Sequence, residues 1–129
     1  MTPPRSALTR ERAAGPAAAV QAHVPLKPVW LQIMLSIAIG EGHGYSIRKS
    51  VEERTDGKIR LWPTTLYGTL RQIAEAGLIE ERQGAEHEPD ARGRREFVLT
   101  ENGRAVLDAE TTRLEQLVTL ARATAVASR

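Results

Sequence analysis

Apolar positions recur at steps of four, three and four through Leu66, Leu70, Ile73 and Gly77, the spacing of one buried helix face. Pro63 suits the first turn, where its missing N–H is not needed, and Gly77 suits the left-handed residue just past the last turn. The spacing predicts a helix over 63–76. Its other face carries Thr64, Thr65, Tyr67, Gly68, Arg71 and Gln72. A solvated face usually alternates Glu and Lys. A row of small polar groups with one guanidinium suits a helix that enters a groove and bonds to phosphates and base edges.

From Pro28 the chain is apolar nearly all round, VWLQIMLSIAIG, with Pro28 placed for a first turn and Gly40 for a stop. A helix apolar on every side is buried. Trp30 then belongs either to the core or, with Met34, to a surface shared with a second subunit. Gly42 and Gly44 punctuate a turn, and a second helix is predicted over 45–55, with Ile47 and Val51 inward and Asp56 and Gly57 ending it. KIRLW (58–62) alternates apolar and basic residues and predicts a short strand edge. LIEERQ (78–83) and REFVLT (95–100) predict a hairpin around the polar loop 84–95.

Thr100 is a good N-cap for a last helix from Glu101 onward. There Leu107, Leu114 and Ala121 repeat every seven residues, and Val106, Leu117, Val118 and Leu120 widen the stripe. An apolar stripe on a terminal helix needs a partner once the core is closed. Self-association is the preferred reading; the alternative is that the helix folds back onto residues 29–39.

Helix, helix, short strand, helix, strand, loop, strand is the order of a winged helix-turn-helix. The expected fold is mostly α (α+β), with a C-terminal dimerisation helix. Residues 1–25 form a disordered or loosely helical arm, 26–100 the DNA-binding domain and 101–129 the dimerisation helix. The helix over 63–76 would enter the major groove, the helix over 45–55 would support it, and Arg92, Arg94 and Arg95 of the wing would lie over adjacent phosphates. Glu86, Glu88 and Asp90 in the same loop oppose that contact. Tyr45, at the start of the supporting helix, completes the candidate DNA-binding set.

Composition changes this picture in two respects. The net charge of +2 is concentrated in residues 1–28, where Arg5, Arg10, Arg12 and Lys27 face only Glu11. A non-specific polyelectrolyte binder would need a basic stripe. Attraction to DNA must therefore come from a few placed arginines, doubled by dimerisation. Aromatics are only 4% of the chain, so the core is aliphatic. With no cysteine, no apolar run of about 18 residues and no signal-peptide centre, the chain reads as soluble and cytoplasmic.

HGYSI (43–47), TLYGTLRQIAEAGLIEE (65–81) and GRR followed by EFVLTENGRAVL (93–107) resemble the PadR family of bacterial transcriptional regulators. The resemblance covers residues 29–107. One departure is visible: the family usually has Gly-Thr-Leu-Tyr-Pro, whereas Thr64 stands here for the Gly and Gly68 for the Pro. What the resemblance implies is a homodimeric repressor on a palindromic double-stranded operator. The dimer would form through the C-terminal helix and the partner's first helix, which gives Trp30, Met34, Leu107, Leu114, Leu117, Val118 and Ala121 as interface residues. Some members respond to phenolic acids or hydrophobic drugs, so the resemblance also admits a small hydrophobic effector between subunits.

Enzyme chemistry finds no support. His23, His43 and His87 lie in separate segments without metal-ligand spacing, no glycine-rich phosphate loop occurs, and no serine sits in a nucleophile elbow. No catalytic residue, metal or cofactor is expected. The competing function is a winged helix used for protein–protein contact, which the nearly neutral core favours.

Overall fold

The computed structural model describes residues 17–82 and 95–127. The N-terminal Arg5, Arg10 and Arg12 and the wing's Arg92 and Arg94 lie outside the described residues. In order come α1 (17–22), α2 (Pro28–Ala38), α3 (Gly44–Arg54), α4 (Pro63–Glu75), β1 (Ile79–Arg82), β2 (Glu96–Leu99) and α5 (Glu101–Ala127). Val20 and Val24 pack against the core and Leu26 is buried in it, so the folded body reaches into the stretch expected to be an arm.

Local chemistry sets where α2 and α4 begin and where α4 ends. Pro28 opens α2 and Pro63 opens α4. At the far end of α4, Gly77 takes φ 79°, and the Leu78 N–H reaches back to the Ile73 carbonyl at 3.2 Å. That left-handed residue closes the helix and turns the chain into β1. Ile33, Met34, Ile47, Val51, Leu66, Leu70 and Ile73 fill the space between α2, α3 and α4.

The strand expected at 58–62 does not form. Thr55 takes its hydrogen bonds: the Ile59 N–H donates to Thr55 Oγ1 at 3.0 Å and the Lys58 N–H to the Thr55 carbonyl at 3.0 Å. The place beside β2 is filled by residues 42–43 instead. Phe97 N–H donates to the Gly42 carbonyl at 2.9 Å, and His43 bridges Glu96. The two named strands pair antiparallel, Ile79 with Leu99 through Arg82 with Glu96.

Thr100 caps α5, accepting the Gly103 N–H at 3.0 Å and donating to the Gly77 carbonyl. The first turns of α5 lie on the body, where Val106, Leu107 and Glu110 are buried. Met34 and Leu107, assigned to a subunit interface by their position in apolar stripes, are thereby corrected: at 0% and 4% exposure both belong to the protomer's own core. Beyond Arg113 the helix leaves the body; Leu114 is half-buried, and Leu117, Val118, Leu120 and Ala121 are exposed.

Glu110 is a buried carboxylate with two partners. It accepts the Leu26 N–H at 3.1 Å and a two-pronged bond from Arg113 at 2.6 and 3.0 Å. The Arg113 bonds outweigh burial and hold its carboxyl below the ordinary range. A depressed folded pKa stabilises above the unfolded value of about 4.3 and is lost as pH falls through the folded one. Glu110→Ala leaves the buried Leu26 N–H unpaired and is expected to lower unfolding free energy at neutral pH by about 2 kcal/mol. In Glu110→Gln, urea unfolding should lose the part of the acid dependence that this carboxylate supplies.

Candidate nucleic-acid interface

At 100° per residue, Thr64, Gly68 and Arg71 point directly away from the buried Leu66, Leu70 and Ile73, and all three are exposed. Glu75, also exposed, ends the same row with a carboxylate. Among the described residues, no atom outside its own helix turn approaches within 4 Å of where a Gly68 side chain would start. The helix opens without a side-chain cap, so the amides of Thr64 and Thr65 end the helix facing outward. Trp62, next to them, is 65% exposed, at the end of the 58–62 segment that forms no strand.

The two flanks differ. On one, Tyr67 is half-buried, its ring lying 5.0 Å from the Arg95 guanidinium. Arg95 also stacks at 5.5 Å on Phe97 and grips Glu81 in a two-pronged bond, Nε to Oε1 at 2.6 Å and Nη2 to Oε2 at 2.9 Å. That bond holds the Glu81 carboxyl below the ordinary range. Both groups are about 41% exposed, so the pair contributes at most about 1 kcal/mol to stability. Its effect is positional: Arg95 is fixed to the flank of α4. Tyr67 is thus a platform for Arg95 rather than one of the outermost groups.

On the other flank, Thr65 and Gln72 line a groove together with Trp30. Trp30, half-buried, carries the Lys27 ammonium 5.4 Å over its ring. Tyr45, in the first turn of α3, is 69% exposed.

Gly42 and the Gly44 of HGYSI have a packing reason. A Cβ on Gly42 would strike the Phe97 carbonyl, and one on Gly44 would strike the Tyr67 hydroxyl. The motif is where α3 and β2 meet and where Tyr67 is seated. Sequence spacing marked the turn but not the contacts.

Among the described residues no group of three acidic or histidine side chains is placed to hold a metal, and no helix is long and apolar enough to cross a membrane.

Comparison with known proteins agrees with this geometry. No curated protein matches the chain. A MarR family transcription regulator, SP03579, superposes with a TM-score of 0.55 at 21% identity, over 90% of this chain and 68% of that one. A mutant of MepR from a multidrug-resistant S. aureus clinical isolate superposes with a TM-score of 0.55 at 18% identity, over 96% of this chain and 85% of that one. At such identities the likeness is one of fold, a winged helix with a long C-terminal helix. The family model described as the Transcriptional regulator PadR-like family matches residues 33–109, from the middle of α2 to the packed part of α5. With α4, the Pro63 and Gly77 that mark its ends and the two strands all inside that match, the chain belongs to the PadR-like family of transcriptional regulators, not to a family of enzymes.

Proposed function

We propose that the protein is a homodimeric repressor that places α4 of each subunit in successive major grooves of a palindromic operator. The observation that carries this is Gly68. A glycine on an exposed helix face costs about 1 kcal/mol relative to alanine, and nothing among the described residues fills the space it leaves. A bare backbone spot between Thr64 and Arg71 is useful to a surface that approaches from outside. Thr64, Arg71 and the uncapped amides offer that surface donors for bases and phosphates.

The exposed Leu117, Val118 and Leu120 supply the surface for a second subunit, with Leu114 and Ala121 beside them. A two-fold dimer sets the half-sites about 34 to 36 Å apart or at a multiple of that. A small hydrophobic effector entering between the subunits at Leu114–Leu120 would alter that spacing and release the operator.

The test is a pair of variants with opposite effects on stability. Arg71→Ala removes an exposed side chain, so stability should not change while operator affinity falls roughly tenfold to a hundredfold. Gly68→Ala should raise unfolding free energy by about 0.5 to 1 kcal/mol and yet weaken operator binding. Fluorescence anisotropy on a duplex selected by the protein reads the affinities. Unchanged affinity in both variants would mean that a surface other than α4 reads the duplex.

A further inference from the structure

A helix with side chains is about 10 to 12 Å across, and the major groove is about 12 Å wide. A recognition helix therefore has one phosphate backbone along each flank. On the wing flank Arg95 waits beside Tyr67, already paired with Glu81. The opposite flank, marked by Thr65 and Thr69, forms one wall of a groove of about 450 Å³ whose remaining lining includes Lys27, Trp30, Lys58 and Arg60. Among the described residues no carboxylate lines it.

We infer that Lys27, Lys58 and Arg60 form a shelf for the second DNA backbone, on the side of α4 away from the wing. The inference rests on the reading of α4 as the groove helix and names a phosphate-contacting surface for it. The three cations come from two separate segments, the lead-in to α2 and the turn between α3 and α4, and converge on one wall-to-wall gap. Each is exposed and ready to exchange partners. Lys27 is steadied over the Trp30 ring, Arg60 has only a 3.5 Å pair with exposed Glu52, and Lys58 has no ion pair among the described residues. The hydroxyls of Thr65 and Thr69 stand on the facing wall, although Thr69 Oγ1 is turned to the Thr65 carbonyl at 2.9 Å. The 58–62 segment thus has a use as an open turn that a paired strand would deny it: its basic residues stay free to face DNA.

The experiment compares the full chain with a variant carrying Lys27→Gln, Lys58→Gln and Arg60→Gln, on a duplex selected by the unsubstituted protein and on a scrambled duplex, over a series of KCl concentrations. The plot of log affinity against log salt should become shallower by about 2.7 per bound protomer, about 0.9 for each lost phosphate contact. Affinity should fall alike on both duplexes. The single variants, each shallower by about 0.9, carry the test if the triple variant is misfolded by circular dichroism. An unchanged slope in a variant of a protein that binds its selected duplex overturns the shelf alone. Loss confined to the selected duplex overturns it too, since these residues would then be reading bases. An unsubstituted protein that selects no duplex overturns both the shelf and the regulator reading.

Discussion

Glutamate at both Leu117 and Leu120 is expected to leave the protein monomeric and to lower affinity for a two-half-site operator about a thousandfold, the loss that follows when a second binding event is no longer intramolecular. The expectation comes from how α5 divides. Its first turns are spent on the body, through Val106, Leu107 and Glu110, and from Glu115 to Ala125 every described side chain is exposed. At 48% and 62% exposure, Leu117 and Leu120 contribute little to the monomer, so their replacement should leave the unfolding free energy of the protomer nearly untouched. In a two-fold interface each substitution occurs twice, and four carboxylates would be brought into an apolar seam at a cost far above what the leucines gained. Sedimentation reads the oligomeric state, and anisotropy on one-half-site and two-half-site duplexes reads the avidity. Affinity for the single half-site should stay as it was. A double variant that remains a dimer would move the interface off this part of the helix.

The same helix marks how far sequence patterns reach. A heptad run ties Leu107, Leu114 and Ala121 into one stripe, but periodicity cannot say where along a helix the body ends. The stripe is continuous across that border, so Leu107 was grouped with residues that lie outside the core. Met34 was misplaced for a related reason: α2 is apolar all round, and no wheel separates its inward side from a surface side. By contrast α4 was legible almost to the residue, since Pro63 and Gly77 mark both ends and one face is strictly apolar. What remained hidden there was long-range contact. The spacing that puts Tyr67 near the outer row cannot reveal that its hydroxyl lies close against Gly44 and its ring under Arg95, both from other segments. The 58–62 segment failed as a strand because alternation alone does not supply a neighbour; Thr55 satisfied its amides locally and residues 42–43 took the edge of β2.

Those residues carry the last prediction, in which three glycines are replaced by alanine and three outcomes are expected from what each new methyl would meet. At Gly42 it meets the Phe97 carbonyl, part of a backbone held on both sides, by the Gly42 carbonyl and by pairing with Glu81. Neither strand can retreat without breaking the 2.9 Å bond from the Phe97 N–H and the bridge of His43 to Glu96. Gly42→Ala should therefore lose about 3 kcal/mol or more, the upper range for overpacking and a large share of the roughly 5 to 15 kcal/mol that holds a domain together. At Gly44 the obstacle is the hydroxyl end of Tyr67, a side chain that can swing. Gly44→Ala should cost about 1 kcal/mol, and its chief effect should be to unseat Tyr67 and with it the Arg95 stack that ties β2 to α4. At Gly68 the methyl meets nothing, so stability should rise. Urea unfolding of the three variants checks the order, with Gly42→Ala lowest and Gly68→Ala above the unsubstituted protein. A Gly42→Ala protein as stable as its parent would mean that residues 42–43 are not held against β2, and the third edge of the sheet would have to be sought elsewhere in the chain.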